Sequence, residues 1–191
     1  MPAPTPGVRR AHLANDTGMS GTRTTCNLNG ASPAFPDLEK AVADGRDPMD
    51  VFAAAEKAAQ AAIGHRLFTI MAFHADSVEV ERLYSSNEGA YPLGGRKQKR
   101  DTAWGRQVLD QGEPFIGRSA EDIRANFNDH EVIIGLGLEA VLNMPIRHGG
   151  RTLGTVNLLH RADYYTEDHL APAAEIARLI GCALSGNREK E

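Results

Sequence analysis

The fold is indicated most clearly by residues 140–165, AVLNMPIRHGGRTLGTVNLLHRADYY. Two apolar runs separated by His-Gly-Gly-Arg predict a β-hairpin, because Gly-Gly is a favoured two-residue hairpin turn. With that turn, Asn143 lies across from Val156 and diagonal to Asn157, whereas a longer loop changes the register. Both amides are therefore expected to lie close together in otherwise apolar strands. The aromatic residues after the second strand lead into a predicted terminal helix.

The residues before the hairpin predict an alternation of helices and strands that is typical of an α+β domain. Asp47 caps a helix that has Pro48 at its first position and Gly64 as its stop. Two strands and a long loop rich in Gly and basic residues follow. The other predicted elements are helices at 37–43, 102–111, 119–127, 129–134 and from 170 onward, strands at 66–74, 78–84 and 114–116, and the loop at 85–100.

Together, these residues resemble a known family. The order of Pro145-Ile146, a Gly-Gly turn, Gly154-Thr155-Val156-Asn157-Leu158, then Tyr165-Thr166 and a long helix is similar to the second half of a GAF domain. This small-molecule sensing module is related to PAS domains, and the resemblance covers roughly residues 47–184. It implies a three-layer sandwich in which a central antiparallel sheet carries long terminal helices on one face and short helices over a pocket on the other. Ligand and cofactor stay unidentified, because GAF domains bind cyclic nucleotides, bilins, haem or small metabolites.

Composition predicts one domain with a polar surface. The 191 residues are 41% hydrophobic, and the formal net charge of -4 favours neither nucleic acid nor an anionic membrane as partner. No apolar run reaches the roughly 20 residues that span a bilayer. Cys26 and Cys182 lie far apart in the sequence and indicate neither a disulfide framework nor a zinc cluster, so a cytoplasmic location is expected.

The chain is predicted to divide into three parts. Residues 1–36 are rich in Pro and Gly and offer little apolar surface, so a disordered or extended tail is expected, with Met1 or Met19 as the start. Residues 37–186 form the GAF-like domain. Residues 187–191 form a polar C-terminal tail.

Candidate ligand-binding residues begin in the basic loop. Arg96 and Lys97, with Lys99 and Arg100, precede a predicted helix start at Asp101, where backbone N–H groups and the helix dipole favour an anion. The alternative is a solvated loop that keeps the surface polar. Trp104, the only tryptophan, is expected either in the core or as a stacking wall for a planar ligand.

Three further candidates lie nearer the hairpin. His130 stands between Asp129 and Glu131, which can raise its pKa or orient it as a proton donor, although Asp129 also suits a helix cap. Asn143 and Asn157 bond either each other and nearby backbone or a guest, since an unpartnered buried amide is costly. The histidines show no short-spaced pair for a metal.

These features support three hypotheses of different classes. The first is a non-catalytic sensor that recognises a small polar or anionic metabolite and signals through its terminal helices, as a homodimer or to a protein output partner. The second is a small enzyme that resembles free methionine sulfoxide reductase in fold but lacks pocket cysteines. The third is a structural dimerisation module with a filled pocket. A binding screen separates them, because a ligand that binds only the native state raises its stability.

Overall fold

A six-stranded antiparallel sheet lies between two helical layers, which confirms the predicted α+β sandwich. The computed structural model describes residues 34–98 and 102–188, with side chains as far as 185. Most of the predicted N-terminal tail and all of residues 189–191 fall outside these ranges. The elements are α1 (Pro36–Ala43), α2 (Pro48–Ala62), β1 (Leu67–His74), β2 (Glu79–Ser85), β3 (Arg96–Gln98), a π-helix (Gly105–Gln111), β4 (Phe115–Gly117), α3 (Ala120–Asn126), α4 (His130–Gly135), β5 (Ala140–His148), β6 (Arg151–His160), a 3-10 turn (Glu167–His169) and α5 (Leu170–Arg188).

The predicted hairpin forms, but its register differs from the expected one. The strand order is β3-β2-β1-β6-β5-β4, so β6 and β1 lie at the centre. The two-residue turn is present, with Gly149 and Gly150 both at positive φ. A bulge between Ile146 and Arg147 then shifts the pairing by one residue, and Asn143 lies directly opposite Asn157 rather than Val156. The bulge therefore brings the two amides face to face.

The first helical layer consists of α1, α2 and α5 and is packed without polar side chains at its centre. Asp47 caps α2 as predicted, since its carboxylate accepts from the Met49 N–H at 2.9 Å. Helices α2 and α5 pack against each other, with Ala55 and Ala177 at most 1% exposed. At Gly154, on β6, a Cβ would collide with the Met71 carbonyl oxygen of β1. Close strand approach under this layer therefore requires glycine.

The second layer consists of the π-helix, α3 and α4, and it covers only part of the other sheet face. Ser119 and Asp122 form the predicted capping box at the start of α3. Gly112 ends the π-helix at φ 71°, as its position after 102–111 predicts. Asp129 occupies the N-cap position of α4, but its side chain makes no capping hydrogen bond there. The prediction of a helix at α4 is confirmed, and the prediction of an Asp129 cap is wrong.

The predicted loop at 85–100 contains a short edge strand that the sequence did not indicate. Strand β3 pairs with β2 through Arg96, Lys97 and Gln98, all of which are exposed. Its charged side chains gave no apolar alternation by which to recognise a strand. Within the described ranges, no helix combines the length and the apolar character that a membrane crossing requires.

Candidate functional site

A cavity of about 170 Å³ lies between the sheet and the second helical layer, where the sequence predicted a pocket under residues 102–134. Strands β1, β2, β3, β5 and β6 form its floor, while Thr102 and Trp104, just before the π-helix, and the α3–α4 connection form its cover. Most of its wall surface is contributed by apolar atoms, although more than half of its lining residues are polar or charged. The lining residues are Leu67, Thr69, Met71, Val80, Arg82, Tyr91, Lys97, Gln98, Thr102, Trp104, Asn126, Phe127, Asn128, Asp129, Ile133, Val141, Asn143, Asn157 and Leu159.

Four polar side chains form a continuous row of hydrogen bonds along the cavity floor. The Trp104 indole N–H donates to Asn143 Oδ1 at 2.9 Å, and Asn143 Nδ2 donates to Asn157 Oδ1 at 2.6 Å. Asn157 Nδ2 then donates to Thr69 Oγ1 at 3.1 Å. Both asparagines are at most 6% exposed. Of the two alternatives left open by the sequence, the amides bond each other, and their remaining partners are side chains rather than backbone.

The π-helix positions the outer end of this row. Thr102 accepts from the Gly105 N–H through its hydroxyl at 3.0 Å, which stabilises the start of the helical segment. Trp104 packs edge-on against Phe127, with 5.6 Å between the ring centroids. The only tryptophan is therefore half-buried in the cavity wall, where it contributes both apolar area and one hydrogen-bond donor.

A second bulge brings an arginine into the cavity that sequence analysis missed. The pairing of β1 with β2 shifts between Ile70 and Met71, so that Ile70 pairs with Tyr84 while Met71 pairs with Arg82. Strict alternation would place Arg82 and Tyr84 on one face. Instead, Tyr84 contacts Phe68 in the helical layer, and Arg82 lines the cavity. The only signal in the sequence was an arginine within an alternating strand, which usually indicates a wet face.

Arg82 lies among groups that hold it in place without using all of its donors. One guanidinium nitrogen donates to the Pro92 carbonyl at 3.0 Å, and the guanidinium carbon lies 4.8 Å from the centre of the Tyr91 ring. Burial lowers the pKa of Arg82, while the Asp129 carboxylate and Tyr91 oppose that shift. Since the ordinary pKa of arginine exceeds 12, the side chain stays cationic.

Two buried polar atoms at this end of the cavity have no hydrogen-bond partner, Arg82 Nε and the Tyr91 hydroxyl. The pKa of Tyr91 is raised, first by burial and then by the nearby Asp129 carboxylate, although the two side chains do not meet the geometry of a hydrogen bond. Arg82 and Asp129 likewise form no ion pair within 4.0 Å. A buried donor without an acceptor costs about 1–3 kcal/mol. Arg82 Nε and the Tyr91 hydroxyl can therefore each donate a hydrogen bond to a bound ligand.

Four of the six predicted ligand-binding residues line this cavity, and two do not. Trp104, Asn143, Asn157 and Lys97 are among the lining residues. Arg96 points elsewhere, since adjacent residues of a strand face opposite sides. Its guanidinium lies 3.1 Å from Glu81 Oε2 and 3.9 Å from Glu79 Oε2, beside a separate surface groove. The predicted placement of Arg96 in the pocket is therefore wrong. The predicted cap at Asp101, with Lys99 and Arg100, lies outside the described residues.

His130 belongs to α4 but not to the lining of the cavity. Its Nδ1 lies 2.9 Å from the Phe127 carbonyl oxygen, so the ring fastens α4 to the end of α3. The prediction of His130 as a pocket residue is thus wrong, although its neighbour Asp129 does line the cavity. Phe127, which shares contacts with both His130 and Trp104, links this helical connection to the cavity wall.

Cys182, on α5, belongs to the opposite helical layer and is disulfide-bonded, whereas the sequence indicated no disulfide framework. It does not line the cavity. Cys26 lies outside the described residues. Within the described part of the chain, no group of three or more His, Cys, Asp or Glu side chains has a metal-binding arrangement.

Comparison with known proteins assigns this architecture to a family. The family model for the GAF domain matches residues 47–185. A GAF domain structure from a phosphoenolpyruvate-protein phosphotransferase of Coxiella burnetii is similar at a TM-score of 0.68 and 15% identity, covering 82% of this chain and 94% of that chain. A domain of a putative two-component sensor histidine kinase from Sinorhizobium meliloti gives a TM-score of 0.56 and 20% identity, covering 74% and 93%.

A third similar structure is the GAF domain of a two-component sensor histidine kinase from Bacillus halodurans, with a TM-score of 0.63 and 15% identity, covering 74% of this chain and 96% of that one. A search of curated proteins gave no match. The family match extends over the sheet, the cavity and most of the terminal helix. The chain belongs to the GAF domain family.

Proposed function

We propose that this GAF domain is a non-catalytic sensory module that binds a small polar or anionic metabolite in the cavity under residues 102–134. The observation that carries the proposal is the combination, in one cavity, of a buried row of amides with a cation and two unpartnered polar atoms. Ligand sites are mostly apolar pockets with polar groups that fix orientation, and most of the wall surface of this cavity is likewise apolar. The two similar structures from sensor histidine kinases add support for a sensory role.

The size of the cavity favours a small guest. Its volume of about 170 Å³ is below the range of roughly 300–1,000 Å³ that holds drug-sized ligands. One similar structure holds bound biliverdin, a tetrapyrrole that is too large for a cavity of this volume. A metabolite of a few heavy atoms suits this cavity better than a chromophore of that size.

A screen of small metabolites tests the proposal in two ways. A ligand that binds the native state raises the melting temperature by mass action, and Trp104 reports binding through its fluorescence because it is the only tryptophan in the chain. We expect at least one small polar or anionic compound to change both signals. A screen without any such compound would contradict the proposal, and chemical conversion of a binding compound would show an enzyme instead.

A matched pair of arginine variants then locates the site. Arg82→Gln removes the less exposed of the two cations that line the cavity, so an anionic ligand is expected to bind at least about tenfold more weakly. Arg96→Gln is the control, since Arg96 belongs to the neighbouring strand but lies outside the cavity. Equal weakening by both variants would indicate general attraction by surface charge rather than binding in the cavity.

Signalling is proposed to pass through the terminal helices to a protein output partner or to a second copy of the chain. The small-residue stripes of α2 and α5 are used inside the protomer, so a homodimer needs the outward faces of these helices. Light scattering at micromolar concentration is expected to give twice the chain mass of 20.6 kDa. A mass of one chain under these conditions would contradict the homodimer.

A further inference from the structure

The cavity is lined by two cations, Arg82 and the exposed Lys97, and by one anion, Asp129, and these charges bear on the chemistry of its guest. Arg82 enters from β2, and Asp129 enters from the connection between α3 and α4 on the opposite side. The two side chains interact electrostatically, yet they do not approach within the 4.0 Å of an ion pair. An opening between a cation and an anion is therefore part of the cavity.

Each of these groups has capacity that the protein leaves unused. Arg82 Nε and the Tyr91 hydroxyl are buried donors without acceptors. Asp129 is the N-cap residue of α4, but its side chain makes no capping hydrogen bond, so its carboxylate is not occupied by the backbone of that helix. Two donors thus lack an acceptor, which a carboxylate supplies beside the Arg82 cation, and the Asp129 carboxylate can accept from a basic group. A guest with a single charge satisfies only one side.

We propose that the guest is a small zwitterion of the aminocarboxylic acid class. Its carboxylate binds Arg82 and Tyr91, and its ammonium binds Asp129. This inference rests on the proposed function, because it names the ligand class of the same cavity. Such a guest supplies an acceptor for both unpartnered donors and a donor for the carboxylate, which neutralises all three charged or polar groups together.

The remaining lining of the cavity is mixed in character. Its aliphatic side chains are Leu67, Met71, Val80, Ile133, Val141 and Leu159, and its further polar side chains include Lys97, Gln98, Thr102, Asn126 and Asn128. The amides of Asn143 and Asn157 are already paired with each other and with Trp104 and Thr69. The charged groups therefore set the class of the guest, and the aliphatic part of the lining favours a side chain without charge.

The test compares each amino acid with its own one-charge analogues. The probes are the twenty free L-amino acids, the corresponding carboxylic acids without the amine, and the corresponding amines without the carboxylate. Binding is measured by the melting temperature and by Trp104 fluorescence. We expect one or more amino acids with uncharged side chains to bind, and their two analogues to bind at least about tenfold more weakly, because each loses one charged partner.

Two variants assign the charges within the site. Asp129→Asn is expected to weaken the amino acid at least about tenfold while leaving the deaminated acid unchanged or tighter, because the repelling carboxylate is gone. Arg82→Gln is expected to weaken both acids. Glu131→Gln is the matched control, since it changes an exposed carboxylate on the same short helix. Unaltered affinity in Asp129→Asn would overturn the proposal.

The remaining outcomes separate this inference from the proposed function. If a deaminated acid or a compound outside the panel binds the cavity as tightly as any amino acid, the zwitterion is wrong and the sensory function stands. If neither the panel nor the broader metabolite screen changes either signal, both are wrong. Fluorescence and melting temperature are measured on the full chain in each case, so a variant that fails to fold is recognised by its lost transition.

Discussion

The two faces of the sheet use the same strands for opposite purposes. On the helical face, Phe68 and Ile70 of β1 are fully buried in the apolar core that they share with residues of α2 and α5. On the other face, Thr69 and Met71 of the same strand line the cavity. Because side chains alternate along β1, one residue faces the core and the next faces the cavity. A substitution at a core-facing position therefore tests stability, whereas a substitution at its neighbour tests the cavity.

The largest loss of stability is expected from a substitution in the core on the helical face of the sheet. Phe68→Ala removes a fully buried ring that packs near Tyr84 and His65, so the free energy of unfolding should fall by about 3–5 kcal/mol. Met71→Ala, three residues along β1, borders existing empty space and should cost about 1 kcal/mol. Urea unfolding measures both values. Equal losses would show that the two faces are packed alike.

A smaller effect is expected from breaking the polar row on the cavity face. Asn157→Leu leaves Asn143 Nδ2 without its acceptor and Thr69 without its donor, so unfolding should become easier by about 1–3 kcal/mol. The sequence alone did not show that Thr69 is one of these partners. The double variant Asn143→Leu/Asn157→Leu should cost less than the sum of its singles. A strictly additive double variant would show that the amides are independent.

The start of α3 provides a test at the edge of the cavity cover. Ser119→Ala removes the hydroxyl that accepts from the Asp122 N–H and should cost about 1 kcal/mol, measured by thermal unfolding. The substitution leaves the helical face of the sheet untouched. A loss much larger than that would mean that the cover contributes more to stability than its short helices suggest.

The smallest expected effect is a decrease in stability at low pH, which two histidines cause. Burial lowers the pKa of His65 and of His160 below the ordinary value of 6.5, and Arg66 and Arg161 lower that of His160 further. The unfolded chain then binds more protons, so this contribution to stability is present above pH 6.5 and is lost as pH falls from 6.5 toward the folded pKa values. The melting temperature should decrease from pH 7.5 to pH 5.5. His65→Gln and His160→Gln should each flatten that decrease, and an unchanged slope in both would contradict the assignment.

Local sequence signals predicted the elements that depend on short-range chemistry. Asp47-Pro48 marked the start of α2, Ser119 with Asp122 marked α3, and the Gly-Gly turn marked the hairpin. Each of these signals is complete within four residues, because caps and tight turns are satisfied by near neighbours. The sandwich followed from their order together with the resemblance to GAF domains.

Pairing between strands was harder to predict, and the candidate site depends on it. Two bulges, one beside Met71 and one beside Arg147, decide which residues face the cavity. The paired residues at the bulge beside Met71 include no glycine or proline, whereas at the other bulge Gly154 pairs with Ile146. Arg96 was misplaced for a separate reason, because the sequence did not indicate strand β3. The bulges account for the other two errors: Arg82 was missed, and Asn143 was assigned the wrong partner. Such errors follow directly from a one-residue shift, which reverses the face of every side chain beyond it.

The indole of Trp104 determines which atoms donate and which accept along the row of hydrogen-bonded side chains on the cavity floor. An indole N–H can only donate, so Asn143 must turn its oxygen toward Trp104 and its NH₂ group toward Asn157, which in turn faces Thr69 with its own NH₂ group. Rotating one amide places two like groups against each other, so the second must rotate as well. The two asparagine amides therefore rotate only together, between two orientations, and the hydrogen bond from Trp104 favours the orientation that the structure shows. A guest that accepts the hydrogen bond from the indole N–H removes this preference. The side-chain hydrogen bonds that join β5, β6 and β1 can then reverse their direction together.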